Sequence, residues 1–241
     1  MSILAKSSTL AASVLGLLSL STVLVAAPSQ AAVINGSFES GDFTGWEKIG
    51  TAAVDTNAYG VDTTDGYYQA SLVTNSKAPA VSIEKFLGLT RGSLSTLGNG
   101  VANSGAAIKQ TFTASAGDVV SFDWNFLTNE GTPNARNNDF AFFSLTGLTE
   151  LADTTVSFVD SLSEFREETG YQTTSYTIAT AGNYTLGFGV INSGDRKVQS
   201  GLLVDNVSSE PVPEPASMLG ILAFGALGGK KLLKRRQEKQ A

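Results

Sequence analysis

Val119-Val120-Ser121-Phe122-Asp123-Trp124-Asn125-Phe126-Leu127 is the stretch on which the fold turns. Val120, Phe122, Trp124 and Phe126 alternate with Ser121, Asp123 and Asn125, the period of two expected of a strand with one buried face. Residues 107–113, just upstream, alternate in the same way. Residues 140–145, 171–178, 184–191 and 201–208 are further short runs rich in Val, Ile, Thr, Tyr and Phe, separated by turn residues. Only residues 81–97 read differently. There Phe86, Leu87, Leu89, Leu94 and Leu97 predict one or two short helical turns, interrupted by Gly88 and Gly92. Residues 111–117 and 175–182 echo each other as strand, Ala-Gly turn, strand, which predicts a hairpin-built sheet. Together these runs predict an all-β fold, a β-sandwich of jelly-roll type. No repeat of 20 to 50 residues appears, which argues against propellers and solenoids.

The two ends have a different character. Lys6 precedes an apolar stretch over residues 10–27, Pro28 breaks it, and Ser29-Gln30-Ala31 follows. This is the order of a secretory signal peptide, so residues 1–31 are expected to form a signal helix cut by signal peptidase after Ala31. A permanent N-terminal anchor is the competing reading; the small residues placed after a helix breaker argue against it. At the other end, Val212-Pro213-Glu214-Pro215-Ala216-Ser217 leads into an apolar, Gly-rich run over residues 218–229, then Lys230-Lys231-Leu232-Leu233-Lys234-Arg235-Arg236. The run falls short of the ~20 residues that span a bilayer comfortably. Leu232 and Leu233 lengthen it if the lysines snorkel, giving a short transmembrane helix at about residues 216–233. The basic cluster would stay on the cytoplasmic side. Residues 211–236 resemble the PEP-CTERM sorting signal that the membrane enzyme exosortase handles in exopolysaccharide-producing bacteria. The resemblance implies that Pro213, Glu214 and Pro215 are the sorting motif, with an exosortase-like enzyme as partner. The chain would then be exported and membrane-associated, at the cell surface or extracellular. A plain type I anchor would give the same topology.

Residues 32–210 remain as one ectodomain, with nine basic against twenty acidic residues and a net charge of −11. No basic patch is present to neutralise phosphates, so nucleic acid is excluded as a partner. The charge suits a soluble extracellular protein that recruits divalent cations. The chain has no cysteine and no histidine, which removes disulfides, thiolate chemistry, Ser-His-Asp triads and imidazole bases.

Val33-Ile34-Asn35-Gly36-Ser37-Phe38-Glu39-Ser40-Gly41-Asp42-Phe43-Thr44-Gly45-Trp46 resembles the opening strand of galactose-binding-like jelly-roll domains, which include several carbohydrate-binding modules. Leu202-Leu203-Val204-Asp205-Asn206-Val207-Ser208 is similar to their closing strand. The resemblance implies a structural calcium (Ca2+) held between Glu39 on the first strand and Asp205 on the last. The competing reading is a pair of hydrogen-bonded strand-end residues. Without histidine or cysteine, a hard cation is the only metal with suitable ligands here.

The loop after the quoted strand supplies a candidate ligand site in Trp124, Asn129, Glu130, Asn138 and Asp139, with Asn134, Arg136 and Asn137 beside them. Aromatic faces stack on sugars while amides and carboxylates take hydroxyls. The same oxygens could equally bind calcium, and the same composition also describes an ordinary loop. Glu130 and Asp139 are the pair to nominate for glycoside hydrolysis. Glu164, Glu167 and Glu168 form an outside group, read more simply as a solvated run. Trp46 and Trp124 are expected to be core anchors, since each flanks an alternating apolar run. The expectation is a non-enzymatic cell-surface or extracellular-matrix protein, glycan-binding or adhesive, with an exopolysaccharide or other glycan as ligand. A carbohydrate-active enzyme and a purely structural matrix protein are the alternatives.

Overall fold

The computed structural model describes residues 32–211, apart from residues 76, 77, 98, 99, 157 and 162. In chain order the strands are β1 (Glu47–Ile49), β2 (Thr51–Asp55), β3 (Gln69–Val73), β4 (Ala78–Pro79), β5 (Ala102–Ala114), β6 (Val119–Thr128) and β7 (Phe140–Ser144). Then come β8 (Leu148–Asp153), β9 (Val159–Asp160), β10 (Glu167–Glu168), β11 (Gln172–Thr177), β12 (Gly182–Ser193) and β13 (Ser200–Glu210). Among the described residues one α-helix, α1 (Ala80–Leu87), follows β4. The strands form two antiparallel sheets. One runs β1-β5-β12-β7-β8, with β4 also on β5; the other runs β2-β3-β13-β6-β10-β9, with β11 also on β6.

The alternating runs place the core. Phe122, Trp124 and Phe126 of β6, Leu202 and Val204 of β13, and Ile108, Phe188 and Val190 opposite fill the space between the sheets. Phe122 stands edge-on to Phe188 at 4.7 Å between ring centroids. Leu203, on the opposite face of β13, packs outside with Val73, Leu127 and Phe165. Among the described residues, the buried apolar clusters run from Phe38 to Val207, so residues 32–211 hold a core of their own.

The helical turns fall where the leucines predicted. Helix α1 lays Ala80, Ile83 and Leu87 on Ala107, Phe140, Phe142 and Ile191, on the outer side of the first sheet. It ends at Gly88 in the left-handed region (φ 72°), a conformation that costs glycine little. A 3-10 turn at Ser93–Leu97 follows, fastened by the buried Glu84, which accepts the amides of Gly92 (2.8 Å) and Leu94 (3.0 Å).

Two expectations are corrected. The Ala-Gly turns do not close hairpins, because β5 and β6 lie in different sheets, as do β11 and β12. Both turns are corners that carry the chain across the sandwich, and they bond to each other through Gly117 N–H to the Ile178 carbonyl and Ile178 N–H to the Asp118 carbonyl, each 2.8 Å. Repeated crossing between sheets is the winding expected of a jelly roll rather than of a meander. The segment at residues 33–46 is not a strand either. Asn35 (φ 51°) and Phe38 (φ 56°) sit in left-handed conformations, and successive tight turns run through Asn35, Phe38 and Phe43. The Asn35 amide donates to the carbonyls of Asp42 and Thr44, and its oxygen accepts the Ser40 N–H. A side chain that satisfies its own neighbours' backbone competes with a sheet ladder. The segment still serves the core, because Phe38 (0% exposed) and Trp46 (7%) plug it.

Candidate functional site

Three places carry polar chemistry. The first is the end of the sandwich where β6 runs out and β13 begins. Thr128 and Ser200 point between the sheets and share a hydrogen bond of 2.9 Å. Ser200 Oγ donates to Asp139 Oδ2 (2.7 Å), and the Ser193 N–H donates to Asp139 Oδ1 (2.9 Å). Asp139 is fully buried, and that burial pushes its carboxyl up to about 7 against the pull of the Ser193 and Ser200 hydrogen bonds. Glu130, 4% exposed, is likewise raised by burial and by Asp195 nearby, while its Oε2 accepts the Asn134 amide (2.9 Å). Asn138 (6% exposed) donates to Asp153 and accepts the Thr154 hydroxyl.

Of the residues nominated from sequence, the fold thus brings Glu130, Asn138 and Asp139 together at one end of the core. Asn129, half-buried, turns aside and accepts the Arg166 N–H. Trp124 is 7% exposed, with its ring in the core and its Nε1 donating to Thr174 Oγ1 (2.9 Å), so it offers a sugar no free face. The Glu130 and Asp139 carboxyls are closed off from solvent, which keeps the proposed acid-base pair away from any polymeric substrate.

The second place gathers Glu39 and Asp205. They do not meet as paired strand ends; both grip the loop at residues 64–68. Glu39 Oε1 accepts the amides of Tyr67 (2.7 Å) and Tyr68 (2.8 Å). Asp205 Oδ2 accepts from Thr64 N–H, Thr64 Oγ1 and Asp65 N–H, and its Oδ1 from Asn206 N–H. Burial raises the Asp205 carboxyl against the Asp65 and Thr64 amides that hold it down. Glu39 Oε1 and both Asp205 oxygens accept these donors, so the pair works as a clamp on the loop. No group of three or more carboxylates is placed to hold a metal among the described residues.

The third place was not nominated from sequence. A cleft of about 390 Å³ opens on the outer side of the second sheet, lined by Asn57, Tyr59, Gly60, Ser163 and Glu164. Tyr59 is partly buried, has φ 58°, and packs edge-on against Phe165 at 5.1 Å. Its carbonyl accepts the Glu164 N–H (3.1 Å), tying the two loops that form the cleft. Glu164 is exposed there, whereas Glu167 and Glu168 pair in strand β10, so the acidic run is not one solvated face. The only signal in the sequence was an aromatic residue inside a turn-forming Asn-Ala-Tyr-Gly.

No curated protein matches the chain in sequence. Among solved structures it is similar to TmCBM61 in complex with β-1,4-galactotriose, at 11% identity and TM-score 0.43, covering 73% of this chain and 96% of that one. It is similar to the K1 cleaved adhesin domain of Lys-gingipain from Porphyromonas gingivalis W83, at 15% identity and TM-score 0.41, covering 77% and 99%. It is also similar to the CBM22-1 xylan-binding domain of Paenibacillus barcinonensis Xyn10C, at 14% and 0.36, covering 78% and 99%. At these values no ligand carries over to this chain. Pro213, Glu214 and Pro215, the signal peptide at residues 1–31 and the transmembrane helix expected at about 216–233 lie outside the described residues; among those described, no helix is long and apolar enough to cross a membrane. Residues 211–237 match the family model of the PEP-CTERM protein-sorting motif, and the chain therefore carries an export and surface-sorting signal of that kind.

Proposed function

We propose that this chain is an exported, non-enzymatic surface or matrix protein whose β-sandwich binds a glycan at the Tyr59 cleft. The sorting motif supports the export half of the reading. The observation that carries the glycan half is the cleft itself, where a partly buried aromatic residue stands beside an amide, a hydroxyl and a carboxylate. That mixture fits a sugar, whose C–H face lies on the ring while its hydroxyls take the polar groups. An exosortase-like enzyme and signal peptidase are the processing partners of this reading, and exopolysaccharide is the glycan to try first. The experiment is a glycan array, including host exopolysaccharide, probed with residues 32–211. Binding that is lost in Tyr59→Ala and weakened in Glu164→Gln is the expected result. A wild-type domain that binds no glycan would leave the structural matrix role in its place.

A further inference from the structure

Two buried oxygens at the polar end of the sandwich have no hydrogen-bond partner: Glu130 Oε1 and Asn192 Oδ1. Their residues are 4% and 2% exposed. A buried acceptor without a donor is costly, and in folded proteins it usually marks a water, a proton or an ion. The Asn192 oxygen is fixed by chemistry, because its Nδ2 donates to the Val198 carbonyl at 2.9 Å and only the amide nitrogen can do so.

The topology brings both residues to Asp139. On β12, Phe188 and Val190 face the core, and alternation gives Asn192 the same face. On β7, Ala141 and Phe143 face the core, so Asp139 shares theirs. Phe140 pairs with Ile191, which sets Asp139 opposite Asn192 one step further along, and the Ser193 N–H on Asp139 confirms the approach. Glu130 comes from the other sheet, two residues beyond the core-facing Thr128, whose hydroxyl its amide donates to at 3.0 Å. The charge is unbalanced. No lysine or arginine forms an ion pair with Glu130, Asp139 or Asp195 among the described residues.

We propose that Glu130 Oε1, Asn192 Oδ1 and a carboxylate oxygen of Asp139 form a calcium site that joins the two sheets at this end. Each Asp139 oxygen accepts one hydrogen bond and keeps a lone pair for the ion. The ligands are all oxygens, two of them anionic, the set a hard cation takes. Water and loop carbonyls complete the shell. The ion satisfies both orphaned acceptors and offsets the buried charge, and it pins the loop at residues 130–138 to the end of β12. This site is separate from the Glu39 and Asp205 pair and does not depend on glycan binding.

The test is equilibrium dialysis of residues 32–211 against calcium, with thermal melting in EGTA and in millimolar calcium. Glu130→Gln should hold one calcium fewer per chain, or bind it at least tenfold more weakly. Asn192→Asp adds a third buried carboxylate, so it should melt lower than wild type in EGTA and recover on adding calcium. A wild-type domain that binds no calcium, or a Glu130→Gln domain with unchanged stoichiometry and affinity, overturns the proposal. Should Glu130→Gln fail to fold, Asn192→Asp decides, and a melting point that calcium does not restore overturns it equally.

Discussion

Glu39 and Asp205 hold one loop from opposite ends of the domain: Glu39 Oε1 accepts the amides of Tyr67 and Tyr68, and Asp205 Oδ2 those of Thr64 and Asp65. Ser37 adds a third tie, donating to Asp65 at 2.6 Å. The chain's first turns and its last strand are thereby fastened through a segment that belongs to neither. Gly36 completes the junction, its carbonyl accepting the Val207 N–H.

The clamp predicts how Asp205 mutants melt. Asp205 is fully buried, so Asp205→Asn turns an amide hydrogen toward donors that expect an oxygen and should cost about 1–3 kcal/mol. Glu39 is exposed, and Glu39→Gln should cost less. Calcium at this pair is a proposal that rests on the sequence resemblance alone. As a clamp alone, the pair predicts the same Asp205→Asn loss in EGTA and in millimolar calcium. A loss that appears only in calcium would return the ion to this pair.

Glu84 makes a second buried junction. It is 3% exposed, and both its oxygens accept backbone amides of the turn beyond Gly88. Glu84→Ala strands the buried Leu94 N–H, while water can reach that of the exposed Gly92, and should lower stability by about 1–3 kcal/mol, one unmet buried donor's worth. Glu84→Gln keeps one acceptor and should fall between. Urea unfolding of the three proteins measures the order.

Two glycines should behave differently when changed to alanine. A Cβ on Gly105 would stand 1.9 Å from the Val190 carbonyl oxygen, where β5 and β12 run side by side. Backbone cannot yield there, so Gly105→Ala should prevent folding or cost more than about 3 kcal/mol, the upper range for overpacking. A Cβ on Gly88 meets nothing within 4 Å, so only the left-handed φ of 72° opposes it. Gly88→Ala should cost about 1 kcal/mol. Equal losses in the two variants would contradict the close strand contact.

Residues 119–127 were legible because one face of β6 is apolar and its alternation survives in the sequence. The other face deceived. Asp123 and Asn125 do point away from the core, yet they are buried, the first taken by Thr173 and Asn206 and the second by Glu168 and Thr169. Polarity signals a face, and only the tertiary fold decides what covers it. Glu130, Asn138 and Asp139 were legible as a group, since they bracket one loop, but their burial was not. Asn192 could not be found beforehand, because its partnership with Asp139 comes from the pairing of β7 with β12. The Ala-Gly turns were misread for the same reason: a corner between sheets and a hairpin within one have the same local residues. Tyr59 showed only as an aromatic residue in a turn-forming run, and its cleft depends on the loop before β10 that bonds to its carbonyl through Glu164.

The last prediction concerns the sorting motif at residues 211–237. Pro211 and Val212 separate its Pro-Glu-Pro from the end of β13 at Glu210, the strand that crosses the centre of the second sheet. A processing enzyme at the membrane would meet the motif beside a tightly packed body, with Pro211 and Val212 as the spacing between them. Pro211 has no backbone N–H and so donates nothing to a ladder beyond the end of β13. Replacing Pro213, Glu214 and Pro215 by alanine should leave the melting of the domain unchanged while shifting the protein from the released or surface fraction into the membrane fraction of its host. Intact-mass analysis of the wild type should show a mature start at Ala32 and loss or modification beyond the motif. A mature chain that keeps residues 1–31 would refute export, whereas a tail retained to Ala241 would make the motif a plain anchor. Unaltered fractionation of the triple-alanine chain would show that these three residues do not direct the sorting.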